Sequence, residues 1–111
     1  MDIDHIRSRC ASGISVDMGW RPLLIDLDAA LTDADPTIRY LVVSQKYGRL
    51  SVILTSDTNA EAQRLIRDAV ERSQTTCEMC GSPTATLCQR RSWLRTLCPS
   101  CAAEHKYTVK T

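Results

Sequence analysis

The sequence predicts an α+β fold: a helix-hairpin-helix-type small core over residues 1–75, with a small cysteine-bearing module packed on it over residues 76–111. Three observations predict it. Apolar residues recur at helical spacing over residues 17–31 and 60–73. Two runs of β-branched and aromatic residues flank Tyr47-Gly48-Arg49. Two Cys-x-x-Cys pairs, Cys77 with Cys80 and Cys98 with Cys101, stand 17 residues apart.

In the first helix, Trp20, Leu23, Leu24, Leu27 and Leu31 share one face. Asp17 is placed to cap its start. The stretch Asp33-Ala34-Asp35-Pro36 is placed to stop it, because a proline disfavours the helical conformation of the residue before it. Upstream, Ser12-Gly13-Ile14-Ser15 reads as a turn. Residues 37–46 and 50–55 read as two antiparallel strands. Gly48 supplies a positive φ in the tight connection between them.

Ser56, Asp57, Thr58 and Asn59 offer caps for the second helix, whose apolar stripe is Ala62, Leu65, Ile66, Ala69 and Val70. On its other face, Glu61, Arg64, Asp68 and Arg72 follow at spacings of three and four, so they can pair across turns. A two-stranded ribbon is marginal alone. The carboxy-terminal module is therefore expected to pack on the hairpin and extend its sheet.

That module carries the strongest chemical signal in the chain. Two residues between cysteines let a turn aim both sulfurs at one ion, and the pattern is that of a four-cysteine zinc site. Gly81 relieves crowding after the first pair, and Pro99 shapes the second. Between the pairs, residues 84–89 and 93–97 alternate as two short strands, which makes the module a zinc ribbon. One structural Zn²⁺ on Cys77, Cys80, Cys98 and Cys101 would contribute roughly 10 to 16 kcal/mol to a unit with almost no core of its own. Four thiolates close the metal shell, whereas catalytic zinc keeps a position open for water.

Cys88 reads as a small buried apolar residue. His105 becomes a ligand only if one of the four cysteines points away. His5 and Cys10 are too isolated for a second metal site.

Charge and composition bound the function. The chain of 111 residues has a net charge of +1, with 43% hydrophobic and 24% charged residues. This argues against disorder and against strong whole-molecule attraction to nucleic acid or anionic membrane. Residues 76–111 hold five Lys and Arg against two Asp and Glu, but four thiolates with one Zn²⁺ offset about two of those charges.

The longest apolar runs fall far short of the roughly 20 residues that span a bilayer. The start, Met1-Asp2-Ile3-Asp4-His5, lacks the features of a secretion signal, so a cytoplasmic location is expected. No phosphate-binding glycine loop is present, neither histidine has a nucleophile motif beside it, and Asp26 and Asp28 fall on different faces of their helix. A non-enzyme is expected. Arg90, Arg91 and Arg95 flank Trp93, a grouping that suits a protein hot spot, a nucleic-acid strand, or a tryptophan filling the join between ribbon and hairpin.

In the order of its motifs the chain resembles a group of small, mostly uncharacterised proteins of phages and bacterial mobile elements. The matching features are Gly19-Trp20 before a leucine-rich helix, Lys46-Tyr47-Gly48 before Leu50, Cys77-x-x-Cys80-Gly81, and Trp93-Leu94-Arg95-Thr96-Leu97-Cys98. Arg49 departs from that pattern, where a second glycine is expected. The group has no established activity. The resemblance implies a short accessory protein that binds and blocks host machinery, including inhibitors of defence systems of the anti-CRISPR kind. A protein partner is expected, with DNA or RNA as the alternative.

Overall fold

The computed structural model describes residues 3–56 and 59–110. Among them the chain forms an α+β structure of four α-helices and two separate three-stranded sheets. The short helix α1 (Ile3–Arg7) comes first, followed by strand β1 (Ile14–Ser15). Gly13 turns the chain with φ +79° just before β1. Of the turn expected over residues 12–15, Ile14 and Ser15 instead pair in parallel with Val43 and Ser44. So short a strand has no periodicity to reveal it.

A 3-10 turn over Met18–Trp20 leads into α2 (Arg21–Ala34), with Pro22 in the first turn where its missing N–H costs nothing. The helix thus starts three residues later than expected, with Trp20 in place of Asp17 as the residue before it. The Asp17 side chain makes no cap hydrogen bond. At the far end Asp35 is extended (φ −155°, ψ 101°), as a residue before proline must be. Its carboxylate accepts from the Thr37 N–H and hydroxyl, which hold it below the usual carboxylate range.

Strands β2 (Tyr40–Lys46) and β3 (Arg49–Leu54) form the expected antiparallel hairpin, with a bulge between Tyr40 and Val42. Lys46 pairs directly with Arg49, so the loop is only Tyr47 and Gly48, with φ 54° and 81°. Two positive φ angles give the hairpin-matched turn. Arg49 already belongs to β3, so no second glycine is needed there.

Helix α3 (Ala60–Ser73) is capped by Asn59, whose side chain accepts from the Ala62 N–H at 3.0 Å. The candidate caps Asp57 and Thr58 lie outside the described residues. Arg64 pairs with Glu61 and Asp68, but Arg72 pairs with Asp26 of α2 at 3.0 Å rather than with Asp68. That contact ties the two helices together across their exposed rims.

The first apolar cluster lies between one face of this sheet and helices α1, α2 and α3. Trp20, Leu23, Leu27, Leu31, Val43, Leu50 and Ile66 are all buried there. Beyond α3, strands β4 (Thr86–Arg90) and β5 (Trp93–Leu97), helix α4 (Pro99–Glu104) and strand β6 (Thr108–Val109) surround a second cluster of Cys77, Ala85, Cys88, Leu97, Ala102 and Tyr107. This second sheet runs β5-β4-β6. The hairpin sheet is therefore not extended by the module as expected, because β4 takes its second partner, β6, from the chain that follows α4. Among the described residues, no helix is long and apolar enough to cross a membrane.

Candidate metal centre

Cys77, Cys80, Cys98 and Cys101 converge so that their sulfurs all lie within 4.8 Å of one another, close enough to hold one metal ion. Tetrahedral four-sulfur coordination requires separations of about 3.8 Å, and Cys80 and Cys98 already approach to 3.6 Å.

Two local structures aim the sulfurs. The first pair sits on a turn closed by Gly81 N–H to Cys77 C=O and Cys77 N–H to Ser82 C=O, both at 2.9 Å. Gly81 there adopts φ +81°. In the second pair Cys98 is the residue before α4, Pro99 opens the helix, and Cys101 follows within the same turn. Burial works against a Cys77 thiolate. The backbone N–H groups of Cys98, Cys80 and Met79 more than offset it and bring Cys77 down to about 7. Main-chain donors are thus arranged for a charged sulfur, the form that binds metal.

The residue inside the first pair joins this centre to the rest of the chain. Glu78 is only 3% exposed. Its N–H donates to Thr96 C=O at 2.9 Å, and its C=O accepts from the Gly19 N–H at 2.8 Å. Its carboxylate accepts from the Thr96 N–H at 2.6 Å, from Gln45 Nε2 at 3.2 Å and from Arg95 Nε at 3.4 Å. Burial pushes the Glu78 carboxyl up, and these donors oppose the shift.

Two glycines allow the approach. A Cβ on Gly19 would stand 2.2 Å from Cys77 O, and one on Gly48 would stand 2.4 Å from Leu87 Cδ1. Trp20 Nε1 donates to Thr76 C=O at 2.8 Å, and the Thr96 hydroxyl donates to Gly48 C=O at 2.5 Å.

The four surface residues singled out in the sequence do not act as one group. Arg95 is held by Asp17 and Glu78, which keep its guanidinium charged against the cost of burial. Asp17 thus serves Arg95 instead of capping α2. Arg90 lies over the Tyr107 ring, 4.9 Å from its centroid, and donates to His105 C=O at 3.0 Å. Arg91 is exposed in the β4–β5 turn with φ 58°. Trp93 is 67% exposed. It does not fill the join, which Gly48, Leu87, Thr96 and Glu78 make without it.

Cys88 is fully buried in the second cluster, while Cys10 donates to Gly13 C=O at 3.2 Å. His105 ends α4 and is not among the converging metal-ligand groups. His5 lies in α1.

Two buried charges lie outside the site residues expected from the sequence. Asp28 is fully buried and accepts from Arg9 and from the Tyr40 hydroxyl. Its sequence signal was present, since it stands four residues after Leu24 and three before Leu31 on the apolar face. Glu78 had no such signal.

No family model, curated protein or solved structure matches this chain. The resemblance to phage and mobile-element proteins therefore rests on its sequence motifs. What the structure contributes is the α+β organisation and the four-cysteine cluster.

Proposed function

We propose that this chain is a non-catalytic interaction protein, held together by one structural zinc ion and docking on a protein partner through the surface around Trp93. The observation that carries it is that the fold itself uses the reactive groups near the metal. Four sulfurs fill one shell, and Arg95 pairs with both Asp17 and Glu78. An all-thiolate set of four suits a soft d¹⁰ ion and leaves no coordination position for water. Zinc then acts as a staple for a module of residues 76–111, whose own apolar cluster is small.

What remains for recognition is an exposed tryptophan on an edge strand, with Arg91 in the adjoining turn. Trp and Arg are the residue types enriched at protein hot spots. The motif resemblance supplies the partner class: a host defence or nucleic-acid-processing complex in a bacterial cytoplasm, which the chain would inhibit. DNA or RNA binding has less support, because Arg90 and Arg95 already have internal partners and only Arg91 stays free of them.

Two measurements test this reading. Metal analysis of the purified chain is expected to give one zinc per molecule; iron in its place would overturn the assignment. Affinity capture from cells that carry the gene is expected to recover one specific protein with the wild type and to lose it with Trp93→Ala. Nucleic acid recovered without a specific protein, or undiminished capture by Trp93→Ala, would overturn the docking reading.

A further inference from the structure

The strand edges of this molecule are not treated alike. In β5 three of the four Leu94 and Thr96 groups facing away from β4 are occupied: Leu94 C=O accepts from Gln45 Nε2 at 2.7 Å, while Thr96 bonds Glu78 through both its N–H and its C=O. β1 and β6 are two residues long, too short to template a partner strand. β3 is the exception. It has six residues and lies at the open end of the order β1-β2-β3.

The alternation of an antiparallel ladder fixes which of its groups point outward. The Leu50 N–H faces away from β2, since it donates to the Ser73 hydroxyl at 3.2 Å. The Thr55 N–H faces back across the hairpin, to Arg39 C=O at 3.0 Å. Val52 and Leu54 share the parity of Leu50, so their N–H and C=O groups point outward, and no described residue bonds them. An open concavity runs along this stretch, lined by Val52, Ile53, Leu54 and Gln63.

Natural edge strands of this length are normally blunted by a charge, a proline or a covering element, yet residues 50–56 carry no charge and no proline. The outer face beside them is apolar as well. Ile53 is 46% exposed and Leu41 51%, and Val42 stands directly across from Ile53.

We propose that two copies of this chain pair through β3, antiparallel and edge to edge, with the twofold axis at Ile53. That register sets Val52 against the partner's Leu54 twice over, so the N–H and C=O groups of Val52 and Leu54 on each strand are all bonded and the Leu50 N–H keeps Ser73. Ile53 meets its own symmetry mate on the outer face. The row Leu41, Val42, Ile53 then continues unbroken into its copy, and two three-stranded sheets become one of six. The strand is its own complement. Arg49 sits four residues from the axis, so no like charges face each other, and the contact is isologous and closed. An unrelated peptide would satisfy the backbone but would have to supply the same uncharged, apolar pattern.

The test uses the full, metal-loaded chain in sedimentation equilibrium over a wide concentration range. The wild type is expected to form a dimer. Ile53→Lys and Ile53→Glu each place like charges opposite one another, and each is expected to weaken dimerisation by about tenfold or more. An equimolar mixture of the two is expected to recover association as a heterodimer, which also shows that both variants are folded. A wild type that stays monomeric throughout, variants that dimerise as well as it does, or a mixture no tighter than its components would overturn the proposal.

Discussion

At the scale of single residues, two glycines with different surroundings make opposite demands. Gly19 has an ordinary φ but no room: a Cβ there would collide with the Cys77 and Glu78 main chain. Gly13 has a φ of +79° but open space around it. Gly19→Ala is therefore expected to destabilise the chain by about 3 kcal/mol or more, since backbone has to move. Gly13→Ala should cost only about 1 kcal/mol, from the left-handed backbone alone. Denaturant unfolding of the two variants checks the ranking, and equal losses would contradict it.

Tyr40 makes a second residue-scale prediction. Burial, followed by its hydrogen bond to Asp28, pushes its phenol far above the ordinary range. The folded state thus favours the protonated phenol. Its contribution is complete below about pH 10 and is lost as pH rises beyond that, because only the unfolded chain then ionises there. Tyrosinate absorbance should accordingly show one of the three tyrosines ionising together with alkaline unfolding. Tyr40→Phe should remove that phase. A Tyr40 phenol that ionises while circular dichroism still reports the native fold would contradict this account.

At the scale of elements, ends and partners matter more than interiors. Helix α3 has a complete apolar stripe, but its start depends on the Asn59 side chain bonding the Ala62 N–H. Asn59→Ala is expected to lower stability by about 1 kcal/mol with the fold unchanged. A loss below the error of thermal unfolding would mean that this cap contributes nothing. Strand β5 depends on a side chain in a comparable way, since Glu78 supplies the partners that its edge would otherwise draw from water. Glu78→Gln keeps the shape but sets an amide among three donors, the Thr96 N–H, Gln45 Nε2 and Arg95 Nε. A loss of roughly 3 kcal/mol is expected, more than for Asn59→Ala, because a buried carboxylate partner is removed. Denaturant midpoints compare the two directly.

At the scale of the whole molecule, two apolar clusters share an elongated body of 41 × 24 × 23 Å. Part of their connection runs through the first cysteine turn: Glu78 C=O to Gly19 N–H, and Thr76 C=O to Trp20 Nε1. Loosening the cysteine turns should therefore reach the start of α2. A strong chelator is expected to red-shift the emission of Trp20, which is buried, whereas Trp93 is already exposed. The Trp93→Phe variant isolates that signal. Unchanged Trp20 emission after the metal is stripped would show that the first cluster stands without the second.

Much of this fold is legible in the sequence because its determinants are local. Helical spacing marks α2 and α3, Tyr47-Gly48 marks the hairpin turn, and two residues between cysteines mark each cysteine turn. The four converging sulfurs follow from that spacing almost by themselves. Tertiary structure decided the rest. Whether Glu78 and Arg95 face water or each other, which strands β1 and β6 join, and how Asp28 comes to lie beneath Arg9 and Tyr40 all depend on residues far apart in the chain. A charged side chain carries no periodic mark of burial, and a two-residue strand carries no pattern at all. Their positions are set only when packing brings the two clusters together and each buried polar group must find its partner.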